Sequence, residues 1–257
     1  MNKFCTLLCF VLLAQLTRAN PAADTVIQKV KVSFKFDNSI FPDSWQIAPV
    51  TASGEALDST EEARCKAIAI KALVKYPTPI LVMNLKSIYF IRSVKFYGVD
   101  FGATNDKNSL FITDDGKSKG YTDHFIEQSI HHEFSSILFR NYGWLLDTTQ
   151  WKKANAEDVS YTDAEGGVGA IRKKEASQEL DTALAQKGFL TQYAQSDVEN
   201  DINTIAQNLF TPAPGFWKLV DAYPRIRQKV NMLIKFYHSI LVTFTESYFR
   251  NFEKEKA

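Results

Sequence analysis

The sequence is short of sulfur and imidazole, with 3 Cys and 4 His in 257 residues. Three Cys cannot build a disulfide-dense small scaffold. Net charge is scarce too: 30 Lys and Arg stand against 29 Asp and Glu, for a net +1. That balance excludes the basic footprint of a nucleic-acid binder. Beyond Leu16 there is no long apolar run, so no membrane span is expected after that point. Internal repeats and low-complexity segments are lacking, which excludes a solenoid or a disordered linker protein. The cluster Glu165-Gly166-Gly167-Val168-Gly169 has no third glycine at the required spacing and no apolar strand before it. It reads as a turn, not a phosphate cradle. What is present is core material: 45% apolar residues, including 19 Phe and 10 Tyr. A chain so composed can bury a core, and its length suits one domain or two small ones.

The first residues read as an address. Lys3 is followed by an apolar run from Phe4 to Leu16, and then by Thr17-Arg18-Ala19. A basic start, a short apolar segment and a small residue at the cut form a secretory signal, expected over 1–19. Ala22 and Ala23 are alternative cut sites. Leu8 before Cys9 does not suit a lipoprotein signal. Cleavage removes Lys3 and Arg18, leaving 28 basic residues against 29 acidic ones, and removes Cys5 and Cys9, leaving Cys65. One Cys makes no intramolecular disulfide. Cys65 is expected as a small buried residue on a helix. The product is expected to be a periplasmic or extracellular protein over 20–257, without a membrane span and monomeric.

Residues 26–37 alternate, with Val30, Val32, Phe34 and Phe36 on one face, and predict a half-buried strand. A helix is expected from Thr60 to Lys75, opened by acidic residues that suit its dipole. Strands follow at 87–97 and 109–113, then a helix over 122–140 ended by Asn141-Tyr142-Gly143. Residues 147–172 read as loop. Helices are expected at 175–187, at 197–209 and as one long element over 224–249, with Pro224 in its first turn. The order of strand, helix, strands and then helices predicts an α+β fold.

The chemical motif lies in Ile130-His131-His132-Glu133-Phe134-Ser135-Ser136-Ile137-Leu138. Two His one turn apart on a helix can bind zinc, and a Glu after the first can activate the metal's water. His132 and Glu133 supply the first half. Ser136 stands where the second His would be, and a frame starting at His131 meets Ser135 instead. A hydroxyl is a poor zinc ligand at neutral pH. On the residues alone, the pair also reads as a buried, hydrogen-bonded histidine with Glu133 as its partner. A serine nucleophile on the same helix is disfavoured, because no G-x-S-x-G elbow is present. Ser196-Asp197-Val198-Glu199 matches a capping box, and Asp201 in the first turn suits the helix dipole. His124 and His238 read as structural or surface residues.

From about Leu81 to Tyr237 the chain resembles the zinc-binding metallopeptidases of bacterial extracytoplasmic proteins. The resemblance is carried by an ordered series. It runs from Phe96-Tyr97-Gly98 and Gly102-Ala103-Thr104-Asn105 to Ile130-His131-His132-Glu133-Phe134 with Ile137-Leu138. Trp151 and Asn155 follow, then Gly188-Phe189 with Tyr193-Ala194, Glu199-Asn200-Asp201-Ile202 and Lys235-Phe236-Tyr237. It implies a zincin-like fold, in which a small twisted sheet packs on the motif helix and a mainly helical C-terminal part follows. It also implies zinc as cofactor, His132 as first ligand and Glu133 as general base. The third ligand is implied to be a carboxylate at the start of a later helix, with a further acid one turn on. The expected register puts Asn200 and Thr204 at those two positions, with Glu199 and Asp201 beside the first as substitutes. Ser136 and Asn200 depart from the pattern. Two functions follow as expectations: a zinc peptidase with a variant site, or a metal-free pseudo-peptidase that binds a peptide, glycan or protein.

Overall fold

The structure, a computed structural model, describes residues 29–162 and 165–254. The expected signal over 1–19 and the start of the first expected strand lie outside the described residues. The chain begins with β1 (Lys31–Ser33), β2 (Ser53–Ala56), α1 (Glu62–Leu73) and α2 (Thr78–Asn84). A strand-rich segment follows: β3 (Ser87–Phe96), β4 (Val99–Phe101), β5 (Ala103–Asn105) and β6 (Ser109–Thr113). The rest is helical: α3 (Asp123–Tyr142), α4 (Thr148–Lys153), α5 (Gly167–Arg172), α6 (Thr182–Lys187), α7 (Val198–Phe210), α8 (Phe216–Ala222), α9 (Pro224–Ile240) and α10 (Glu246–Lys254). This is the expected α+β order.

The ten-residue β3 organises the sheet. Its first half lies between two parallel partners, β1 and β6. Its second half takes β2 and β4 antiparallel. β5 closes one edge, antiparallel to β6. Between β2 and β3 the register steps from Glu55↔Ser93 to Ala56↔Ile91, so Arg92 is an extra residue on β3. Such a bulge swaps the faces beyond it. Ile88 and Phe90 therefore face the main core, while Ile91, Val94 and Phe96 face a smaller cluster with Phe41 and Phe111. Both faces of the sheet are covered, which explains its nearly continuous apolar run.

α3 lies in the middle of the main core and is buried from Ile130 through Leu138, polar residues included. Thr122 caps it by accepting the Phe125 N–H at 3.1 Å. A helix buried all round must find partners for its polar side chains, and α7 supplies most of them.

Four expectations change. The first strand shortens to Lys31–Ser33, because only these residues pair with Ser87–Tyr89. Phe34 and Phe36 leave the ladder, Phe34 to stack on Phe90 and Phe36 to meet Phe41 edge-on. The expected loop over 147–172 contains α4 and α5; Asp147 caps α4 on the N–H groups of Thr149 and Gln150, and Trp151 anchors it in the core. The helix expected over 175–187 starts only at Thr182, where Asp181 caps it. The long C-terminal helix breaks at Leu241, whose φ of −154° is extended. The break lets α10 fold back, so that Phe244 and Phe249 pack edge-on against Phe210 at 5.9 and 5.1 Å. One continuous helix could not close that aromatic cluster.

Two buried ion pairs tie the helices together. The first joins α7 to α9: Asp201 Oδ2 accepts from Lys229 Nζ at 2.5 Å, Tyr161 Oη at 2.7 Å and Trp151 Nε1 at 2.8 Å. Lys229 also donates to the Gly188 carbonyl and sits over the Phe189 ring. Burial pushes the Asp201 carboxyl up and the Lys229 ammonium down, and each charge opposes the other's shift. The second joins Lys75 to Glu127 at 2.5 Å, with Lys71 on the other carboxylate oxygen.

Lys229→Met leaves the Asp201 carboxylate buried without its counter-charge. It is expected to lower stability by about 3–5 kcal/mol, read as a reduced urea midpoint. Burial alone would raise the Glu127 carboxyl, but Lys75, His131 and Lys71 outweigh it and hold it at about 2 against an ordinary 4.5. The folded value is the lower one, so this contribution is complete above pH 4.5 and is lost as pH falls towards 2. Urea midpoints across that window are expected to fall less steeply in Glu127→Gln than in the unsubstituted protein.

Candidate functional site

His132 and Ser136 lie one turn apart on the face of α3 that meets α7. The two helices run antiparallel, so Glu199, Asn203 and Gln207, each four residues from the next, form the facing stripe. Ser136 Oγ donates to Glu199 Oε1 at 2.5 Å and accepts from Asn203 Nδ2 at 2.8 Å. His132 Nδ1 lies 2.8 Å from Gln207 Oε1. An amide oxygen only accepts, so Nδ1 is the donor of that bond. Gln207 Nε2 in turn donates to Gln178 at 3.3 Å. One turn earlier, Gln128 Nε2 donates to Asn208 Oδ1 and to the Thr211 carbonyl. The result is a ladder of side-chain hydrogen bonds between two buried helices.

Glu133 points towards the sheet. Its Oε2 accepts from Asn105 Nδ2 at 2.7 Å. The other end of that amide accepts from Arg140, which also holds the Asp106 carbonyl. Burial raises the Glu133 carboxyl above the ordinary carboxylate range; His132 and the Asn105 hydrogen bond oppose the shift, and Glu199 adds to it. Tyr193 stands beside the same carboxyls, and burial with Glu133, Asp197 and Glu199 pushes its phenol up. Its hydroxyl needs Gly167: a Cβ there would sit 2.3 Å from Tyr193 Oη.

His132 and Glu133 open on a cavity of 190 Å³ between α3, the β4–β5 segment and α5. β5 forms its outer rim. Gly102 O and Asp106 N bond towards β6, so the alternating backbone groups of Ala103 and Asn105 face the open edge.

The other expected site residues lie elsewhere. His131 turns into the core, with Nδ1 2.8 Å from Tyr76 Oη and its ring stacked on Phe210. Asp201 faces away from α3 into the Lys229 pair. Asn200 bonds Ser196 and Asp197, and Thr204 bonds the Asn200 carbonyl, so neither meets the motif. Glu199 alone of the acidic candidates reaches α3. The helix cap is Asp197, which accepts the Asn200 N–H at 2.7 Å, in place of the expected Ser196–Glu199 box. Ser196 is occupied with the Tyr193 carbonyl and Glu199 with Ser136. Cys65 is buried and lies 3.1 Å from Asp114 Oδ2; burial and that carboxylate push the thiol up. His238 is exposed on α9.

Asn203 and Gln207 did not emerge from the sequence as site residues, and Asn105 and Tyr193 appeared there only within the resemblance, without a role. The first two carried a signal: polar residues four apart share one helix face. Nothing in the pattern ties Asn105 to Glu133, because it reaches the carboxylate from a strand.

No family model matches the chain, and no curated protein matches it. A solved structure does: a "putative zinc-binding metallo-peptidase" from Bacteroides caccae, 16% identical, over 90% of this chain and 89% of that one, at a TM-score of 0.55. The two chains share a fold. The expected α+β fold, a small sheet packed on the motif helix with a mainly helical C-terminal part, holds at that level.

The residues on the motif face do not fit zinc. A catalytic zinc takes three protein ligands from imidazole, thiolate or carboxylate groups. Here that face offers one imidazole, a hydroxyl and two amides, with Glu199 turned onto Ser136. Among the described residues, no group of three or more His, Cys, Asp or Glu is placed to hold a metal ion. Asn200 and Thr204, expected at the ligand acid and the second acid, face elsewhere, and the two residues that bond His132 and Ser136 one turn apart, Gln207 and Asn203, are neutral amides. Ser136→Ala would remove the donor to Glu199 and the acceptor of Asn203. It is expected to cost about 1–3 kcal/mol in chemical denaturation, since the buried Asn203 amide loses its acceptor, while the exposed Glu199 returns to water.

Proposed function

We propose that the protein is a metal-free binding module built on a metallopeptidase fold, a pseudo-peptidase that receives an extended peptide along β5. The observation that carries this reading is the hydrogen-bonded ladder across α3 and α7. His132–Gln207 and Ser136–Asn203–Glu199 link the two helices where three ligands and an ion would otherwise do so. The peptide class is supported by the open edge of β5. Its outward backbone groups can pair with an added strand, a common way of holding peptides. The cavity beside Glu133 adjoins that edge and can take one side chain. Export to the periplasm or the exterior is part of the same proposal, supported by Lys3, the apolar run to Leu16 and Ala19.

The decisive measurement is zinc content and affinity. The unsubstituted protein is expected to bind no zinc at micromolar supply and to leave a peptide library uncut. Ser136→His combined with Asn203→Glu is expected to gain one zinc per chain, because His132 is already in place. One zinc on the unsubstituted protein, with chelator-sensitive cleavage abolished by Glu133→Ala, would overturn the proposal in favour of a variant peptidase.

A further inference from the structure

The cavity beside Glu133 has a one-sided chemistry. Its walls carry three aromatic rings, Phe101, Phe125 and Tyr193. Gly102 lets the Phe125 ring lean on the strand, since a Cβ there would lie 3.0 Å from Phe125 Cζ. Its acidic residues are Glu133 inside and Asp100 at the exposed mouth, and no Lys or Arg lines it. Two nearby cations are engaged elsewhere, Arg140 on Asn105 and the Asp106 carbonyl and Arg172 on Glu165 and the Tyr97 carbonyl, while Lys95 pairs with Asp100 at the mouth.

Of the polar atoms left over, the Tyr193 hydroxyl and Gln178 Nε2 can donate, and the Glu133 carboxylate at the base accepts. Glu133 is nine-tenths buried, and its Oε1 has no hydrogen-bond partner among the described residues. A buried carboxylate oxygen is complementary to N–H donors on a cation. Aromatic faces around a cation add attraction.

We infer that this cavity receives the cationic side chain, Lys or Arg, of the bound peptide, with the Glu133 carboxylate at its base and Phe101, Phe125 and Tyr193 as its walls. The inference rests on the peptide-binding reading of the cleft, which the test separates from it. A neutral side chain of the same length fills the volume and leaves Glu133 Oε1 unpaired. An acidic one adds repulsion from Glu133.

The test uses the signal-free chain, 20–257, and two kinds of probe. The first is a set of pentapeptides, acetyl-Ala-Ala-Xaa-Ala-Ala-amide, with Xaa as Arg, Lys, norleucine or Glu. The second pairs n-butylguanidinium with its neutral analogue n-butylurea. Binding is followed by amide chemical-shift titration. Arg and Lys peptides are expected to bind at least about tenfold more tightly than the norleucine and Glu peptides. Glu133→Gln is expected to abolish that preference while its amide spectrum remains folded. Equal binding of the norleucine peptide, or a preference that survives Glu133→Gln, would overturn the inference and leave the peptide reading standing. Glu133-dependent binding of n-butylguanidinium without binding of any pentapeptide would uphold the cation site and overturn the peptide reading. Failure of every probe would overturn both.

Discussion

The antiparallel contact of α3 with α7 is the constraint on which the rest of this structure depends. α3 is buried on every side through its middle, and it carries His131, His132, Glu133, Ser135 and Ser136 there. Each polar group brought into that interior loses water and needs a partner. α7 answers with Glu199, Asn203, Gln207 and Asn208 at matching heights. A polar ladder of this kind fixes the rotation and the register of both helices more narrowly than apolar packing would. The position of Glu133 follows from it. With His132 held towards α7, the next side chain turns towards the sheet and meets Asn105.

Charge inside the protein serves cohesion around that contact. Asp201 and Lys229 hold the opposite face of α7 to α9, and Lys75 and Glu127 hold the start of α3 to the end of α1. Buried pairs of this sort add little over apolar packing, but they punish the loss of either member. They therefore specify which face of α7 looks inwards. Asp201 cannot turn to α3 without abandoning Lys229, Tyr161 and Trp151 together. That is why the acidic residues at 199 and 201, two apart in sequence, have unrelated surroundings. With one Cys left after the expected cleavage, cohesion rests on such pairs and on the aromatic cluster around Phe210.

The fold was largely legible, because it follows periodicity. The long strand at 87–96, the helix after Thr122 and the apolar stripe of the C-terminal helices each carry their own pattern. The misread pieces are those where a tertiary contact outweighs the pattern. Leu241 leaves a helix that its neighbours would continue, because Phe244 and Phe249 gain more by returning to Phe210. Asp147 and Asp181 show the opposite case, as local caps that were present but were passed over inside polar stretches. The site was legible only in half. His132 and Glu133 share a helix and announce themselves by spacing.

The chain by itself determined the composition of the motif face on α3: one imidazole, one carboxylate, and a serine where a second imidazole is needed. It also determined that α7 would carry polar residues four apart. Only the tertiary structure decided which of them meet the motif. A rotation of α7 by one residue, about 100°, would exchange Glu199, Asn203 and Gln207 for Asn200, Thr204 and Asn208. Helical periodicity is the same for both choices. The difference lies in what packs on the other side of α7, where Lys229 and Trp151 claim Asp201. The facing residues are therefore Glu199 and two amides, and the two helices meet there through hydrogen bonds.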